Sequence, residues 1–322
     1  MRATRAAGLV VASLACLAMS PWPGRPGHHL NGNELADLVL TDDHPDRLIR
    51  LDVDPFPNPH WHPQNRIGTG NGAFTLVGVA DPNGDGDEDL ILQGDSTYRI
   101  NLLHRVNSMQ GATSVAVGFL PRGDTRFGAV GDVDCDGKAD LVLNGPSLSR
   151  VLLMDGTEPH DTRYVGNGGG EYPITLLADV DGDGCDEAVA EGASSPFVRI
   201  LDLSPSNGGP TSLFLGRGAS YALVGAGDAN GDGKQDLFFD GPTQTRIDLL
   251  DGLAGRLGSG WIGNGGGAHP VAVLGDFDGD GRDDLVFRYD QTIRIDAMNG
   301  TDVIARRGVF LIQATPDTRV FP

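Results

Sequence analysis

The stretch Gly275 to Phe287, GDFDGDGRDDLVF, places carboxylates at loop positions one, three, five and nine (Asp276, Asp278, Asp280, Asp284) and a glycine, Gly281, at position six. Carboxylates at alternate positions converge on one hard cation, the carbonyl of Arg282 at position seven adds a further oxygen, and the glycine permits the left-handed turn that wraps the loop. The chemistry is that of calcium. An EF-hand is excluded, because position twelve would have to be a bidentate Glu on a helix and is instead Phe287, the end of an apolar run.

The loop recurs. Further copies begin at Asp81 (Asn83, Asp85, Asp87, Asp89), Asp132 (Asp134, Asp136, Lys138, Asp140), Asp179 (Asp181, Asp183, Cys185, Glu187) and Asp228 (Asn230, Asp232, Lys234, Asp236). At position seven, Asp87, Lys138, Cys185 and Lys234, like Arg282, are expected to ligate through the backbone carbonyl. The starts are separated by 51, 47, 49 and 48 residues, so the chain is built from repeats. Each loop ends in three apolar residues, which read as a strand. One period earlier, HLNGNELADLVL from His29 keeps Asp37 and the apolar run but has lost most ligands. It reads as a sixth unit with a decayed metal site. Without a cation, so many carboxylates within nine residues would repel one another.

The elements that carry the loops are all β. The chain has 48 glycines and 20 prolines in 322 residues, and no convincing helical period beyond its N-terminus. Around the third intact loop the pattern gives strands at 173–179, 188–191, 198–203 and 212–215. Four short strands per period is the pattern of a propeller blade. The first unit lacks a strand before its loop, while 318–321 offers a spare one. Docking it there closes a ring of six blades, or of seven if one has diverged beyond recognition. The PFPNPHWHPQN stretch, with His60 and His62 flanking Trp61, reads as a long loop of the first unit.

The apolar stretch in residues 1–20, preceded by Arg2 and Arg5, has the layout of a secretory signal peptide, with a lipoprotein cysteine at Cys16 as the alternative. Residues 21–28 form a Pro/Gly-rich lead-in and 29–322 a single propeller. Export to millimolar calcium suits low-affinity loops, which makes the expected product a secreted or cell-surface protein that does not span the membrane, monomeric and with structural Ca²⁺. The net charge of −20 argues against nucleic acid, and 18 of the 44 acidic residues are proposed to ligate through their side chains. Cys135 and Cys185 fall at position four of one loop and position seven of the next, where a bridge between neighbouring units depends on geometry.

Two other features recur. An arginine follows the loop start by eighteen residues at Arg47, Arg99, Arg150, Arg246 and Arg294, and by twenty at Arg199. It reads as a repeated anchor to carboxylates or turn carbonyls, or as a basic ring for an anionic ligand. Glycine-rich segments start at Gly68, Val165 and Ile262. Their Asn71, Asn167 and Asn264, with Tyr172, Trp261 and His269, supply hydrogen-bonding and stacking groups for a sugar; the other reading is a tight crossover between blades. No G-x-S-x-G, H-E-x-x-H or dinucleotide fingerprint is present, so the expectation is a non-enzymatic protein.

VLGDFDGDGRDDLVF, VGAGDANGDGKQDLFFDGP and AVGDVDCDGKADLVLNGP resemble the FG-GAP repeats of integrin-type propellers and bacterial VCBS repeats, and RIDLLDG and GWIGNGGG are similar to the latter. The resemblance covers nearly all of the chain after residue 28. It implies a calcium-binding β-propeller of secreted bacterial proteins used in adhesion or in recognition of a glycan or protein partner, with ligands at positions one, three, five, seven and nine. The degenerate loop at His29 and Glu187 at a position nine depart from the pattern. A spacer role in a surface assembly, or less in keeping with the motifs a propeller hydrolase or lyase, are the alternatives.

Overall fold

The computed structural model describes residues 38–41, 48–53, 61–67, 73–86, 88–105, 112–204, 212–264, 269–288, 292–310 and 319–321. The proposed signal peptide, Cys16, the lead-in, the loop at His29, Arg47, His60, Asn71 and Asp87 lie outside them. Among the described residues there is no helix, and so none that is long and apolar enough to cross a membrane.

Twenty-four strands form four-stranded antiparallel sheets. The first three are β1 (Leu38–Thr41), β2 (Leu48–Val53) and β3 (Trp61–Ile67). One sheet then comprises β4 (Thr75–Ala80), β5 (Asp89–Gln93), β6 (Thr97–Arg105) and β7 (Ala112–Pro121). The next holds β8 (Arg126–Gly131), β9 (Asp140–Asn144), β10 (Leu148–Asp155) and β11 (Glu158–Gly166). It is followed by β12 (Ile174–Ala178), β13 (Glu187–Glu191), β14 (Phe197–Leu201) and β15 (Ser212–Gly216), then by β16 (Ala222–Gly227), β17 (Asp236–Asp240), β18 (Gln244–Leu250) and β19 (Arg256–Gly263). The last run is β20 (Val271–Gly275), β21 (Asp284–Arg288), β22 (Thr292–Asn299) and β23 (Asp302–Phe310), with β24 (Arg319–Phe321) after it. Strands β4 to β23 make five sheets of consecutive strands. A sixth has the order β24-β1-β2-β3, with Val39 opposite Phe321.

The C-terminal strand therefore pairs where the first unit lacks one. The expected long loop over the WHPQN stretch is corrected: 61–67 is strand β3, paired with β2. Pro63 is accommodated because β3 is an outer strand, where a missing N–H need not break a ladder on its free side.

Each sheet from β4 onward has the same irregularity. Its first strand skips a residue in the register, between Leu76 and Gly78, Phe127 and Ala129, Ile174 and Leu176, Leu223 and Gly225, and Val271 and Val273. Such a bulge increases the local twist. The second strands are buried on both faces, as Leu90-Ile91-Leu92, Leu141-Val142-Leu143 and Leu237-Phe238-Phe239 show. Their unbroken apolar runs follow from this, since each sheet is covered on both sides. The core lies between consecutive sheets: Leu176, Val189 and Val198 pack with Ala226, Leu237 and Phe239 of the next. The first strands β4, β8, β12, β16, β20 and β24 adjoin one another in that order.

The arginines stand third in the third strand of each sheet, at Arg99, Arg150, Arg199, Arg246 and Arg294. Most reach back to the preceding sheet. Arg199, Arg246 and Arg294 donate to the carbonyls of Gly166, Gly216 and Gly263, the last residues of β11, β15 and β19. Arg246 also donates to the Arg217 carbonyl (2.9 Å) and to Asp248 (3.0 Å) and lies over Phe239 and Tyr221. The contacts are those of an anchor between sheets.

Candidate metal centres

All five acidic loops join the first and second strands of a sheet, and they share one internal bonding scheme. The position-one carboxylate caps the turn. Asp276 accepts the N–H groups of Gly279, Asp280 and Gly281 at 2.7, 3.2 and 2.9 Å. Asp81, Asp179 and Asp228 do the same with their own loops. The glycines at positions four and six have positive φ, as in Gly279 (80°) and Gly281 (83°). Position four of the second loop is Cys135, with φ 66°, held in a slot that is glycine in the other four. Cys135 is disulfide-bonded to Cys185, with Cα atoms 4.9 Å apart.

Position nine closes the loop and ties it to the third strand. One oxygen of Asp140, Asp236 and Asp284 accepts the N–H of position two, from Val133, Ala229 and Phe277. The other accepts an N–H fourteen residues downstream, from Met154, Leu250 and Met298, each at 2.9 Å. Glu187 keeps the first bond, from Val180. The longer side chain thus reaches the same place as Asp.

The ligand oxygens converge. Carboxylates of Asp132, Asp134 and Asp136, of Asp179, Asp181 and Glu187, and of Asp276, Asp278 and Asp284 each lie within 4.8 Å of one another. In the other two loops position three is Asn83 or Asn230, whose side-chain oxygen accepts the N–H of Asp85 or Asp232. Position-seven N–H groups bond the position-five carboxylates, from Lys138, Cys185, Lys234 and Arg282. Cationic side chains cannot ligate a cation, and here they pair with carboxylates: Lys138 with Asp155 and, at 3.8 Å, with Asp136 of its own loop, Lys234 with Asp251, and Arg282 with Asp280 of its own loop. This leaves the backbone carbonyl as the group that position seven has to offer.

These carboxylates sit where anions are disfavoured. The side chains at position nine are fully buried, and burial followed by neighbouring loop carboxylates pushes Asp89, Asp140, Asp236 and Asp284 up to about 8 and Glu187 to about 9. Burial likewise raises Asp132 and Asp179 to about 6.

One atom tests whether a cation fits. In the first loop position two is Pro82, which has no N–H, so Asp89 Oδ2 is buried with no hydrogen-bond donor among the described residues. Its other oxygen accepts from Leu103 at 2.6 Å. A buried carboxylate oxygen without a donor, among other carboxylates, is what an all-oxygen cation site supplies. The donor set of carboxylates, amides and carbonyls suits a hard divalent cation and no soft one.

The proposed sugar-binding residues fare differently. Asn167 and Asn264 are buried and donate to the Gly145 and Gly241 carbonyls, both at 2.9 Å. Asn167 also accepts from Gly170. Their side chains brace the crossovers between sheets, in keeping with the crossover reading of these segments. Tyr172 bonds Ser195 and meets Phe214 edge-on at 5.9 Å. His269 is half-buried, its backbone N–H donating to the Asn264 carbonyl. Of the five that fall among the described residues, Trp261 alone stands exposed, at 53%.

It belongs to a row that the sequence did not reveal. Opposite the third-strand arginines, the fourth strands carry Phe119, Tyr164, Phe214 and Trp261, paired with Arg99, Arg150, Arg199 and Arg246. All four aromatics are more than half exposed. Directly opposite residues share a face, and the Arg199 guanidinium lies 5.9 Å from the centre of the Phe214 ring. The fifth position of the row is Gly308, opposite Arg294.

No family model matches the chain, and no curated protein matches it. Among solved structures it is similar to an Agrocybe aegerita lectin described as recognising non-reducing terminal N-acetylglucosamine. The TM-score is 0.57 at 16% identity, over 89% of this chain and 94% of the lectin. It is also similar to a Photorhabdus luminescens Tc holotoxin pore structure, with TM-score 0.51 and 17% identity over 84% of this chain. That match spans only 14% of the toxin chain.

Proposed function

We propose that the sheets are six blades of a calcium-stapled β-propeller of the FG-GAP/VCBS kind, exported from the cell and acting as a non-enzymatic recognition or adhesion module for a glycan. Ring closure is supported by the pairing of β24 with β1 and its position beside β20. Calcium would be held by positions one, three, five, seven and nine of the five loops, and its role is to neutralise and fix them. The Cys135–Cys185 bond suits an oxidising compartment.

The observation that carries the recognition reading is the row of exposed aromatics. Four exposed rings at one register, each paired across the ladder with an anchoring arginine, give repeated platforms for stacking a sugar face. Fold similarity to a lectin is in keeping with this.

A glycan array probed in millimolar calcium tests it. The expected result is binding that weakens at least tenfold in Trp261→Ala or Tyr164→Ala with thermal stability retained. An array and a pull-down that are both negative with calcium present would leave a spacer role instead.

A further inference from the structure

The loops are joined to one another in series. In each consecutive pair, the N–H of position eight in the later loop donates to the carbonyl of position one in the earlier. The donors Ala139, Asp186, Gln235 and Asp283 reach Asp81, Asp132, Asp179 and Asp228 at 2.8, 2.7, 2.8 and 2.8 Å. Three junctions add a reciprocal bond. The side chains of Asp186, Gln235 and Asp283 accept the N–H of Asp132, Asp179 and Asp228 at 2.8, 3.1 and 2.8 Å. Both backbone groups of a position-one residue are thus held by the next loop.

The sequence makes room for this clamp. A Cβ on Gly131, which precedes Asp132, would collide with the Asp186 carboxylate, and one on Gly227 would lie 2.5 Å from that of Asp283. Glycine stands before position one where the next loop carries Asp at position eight. At the first junction Ala80 precedes Asp81 and position eight is Ala139, so the carboxylate clamp is missing there.

We infer that the metal loops are coupled in chain order: filling one loop tightens the loop before it, through position eight. The inference rests on the calcium reading above. Position eight lies between the position-seven carbonyl and the position-nine carboxylate, so a cation that fixes both also fixes the clamp. The clamp then holds position one of the earlier loop in place before its own cation arrives, which removes part of the ordering cost of that second event. Couplings of this kind run to about 5- to 150-fold in affinity.

The test is a calcium titration of the full chain followed by NMR, using the position-six glycine amides as reporters of each loop. Asp280→Ala empties the fifth loop. The expected result is that the midpoint at Gly233, in the fourth loop, moves to calcium at least fivefold higher, and that this shift disappears in an Asp283→Ala background. At the first junction, emptying the second loop with Asp136→Ala should move Gly86 much less. Ala80→Gly with Ala139→Asp together should raise that shift to the level of the other junctions, a gain that a misfolded variant would not give. Midpoints at Gly233 that ignore the fifth loop overturn the coupling while leaving the calcium reading intact. No calcium-dependent shift at any of the five glycines overturns both.

Discussion

Calcium uptake should expel protons, and the number follows from the buried position-nine carboxyls. With Asp89, Asp140, Asp236 and Asp284 near 8 and Glu187 near 9, roughly nine-tenths or more of each is protonated at pH 7 without metal. Ligation requires the carboxylate, so filling five loops at pH 7 releases between about four and five protons, and at pH 9 only about one. Affinity per site should then rise by up to about tenfold per pH unit between pH 6 and 8. The metal-free protein behaves in the opposite sense. These groups have folded values above their ordinary ones of 3.8 and 4.5, so the stability they contribute is present below pH 4 and is lost as pH rises through 8. The assay is titration calorimetry in buffers of differing ionisation enthalpy, with thermal melts in chelator across the same pH range. Calcium uptake at pH 7 without net proton release, or an affinity flat from pH 6 to 8, would refute the reasoning.

Loss of the Cys135–Cys185 cross-link, which spans 50 residues, should lower stability by about 4 kcal/mol on chain-entropy grounds, read as a fall in the urea midpoint of Cys135→Ser. Arg246→Met leaves two carbonyls of the preceding sheet without this donor and removes one of the two arginines paired with buried Asp248. It should cost about 3 kcal/mol in chemical denaturation, and Arg246→Lys should recover only part of it. Phe238→Ala, at a fully buried position between sheets, should cost about 3 to 5 kcal/mol by the same measurement.

Features carried by local pattern were legible in the sequence. The loop GDFDGDGRDDLVF dictates its own turn through Asp276, Gly279 and Gly281, and the apolar run after it is a strand because position nine is bonded into the next one. The spare C-terminal strand was legible for the same reason: an unpaired period leaves one partner over. What stayed hidden depends on contacts between units. The Asp186 and Asp283 clamps act across 54 and 55 residues, and nothing local separates them from solvated acids. Strand β3 was obscured by its His62 and Pro63, and the cost of a proline is small on an outer strand. Asn167 and Asn264 looked like ligand groups because a polar residue among glycines gives no sign of its burial. The aromatic row escaped notice because its distance from the arginine varies, being 20, 14, 15 and 15 residues along the chain, as hairpins of different length intervene. Only the pairing register aligns it.

The claim that cations in these loops hold neighbouring sheets together is tested most directly by the melting temperature at neutral pH in excess chelator against millimolar calcium. With dissociation constants of about 10⁻⁴ to 10⁻³ M, five sites contribute roughly 2 to 7 kcal/mol, which predicts a melting temperature higher in calcium by roughly 3 to 10 °C. Identical melting temperatures in the two conditions would contradict it.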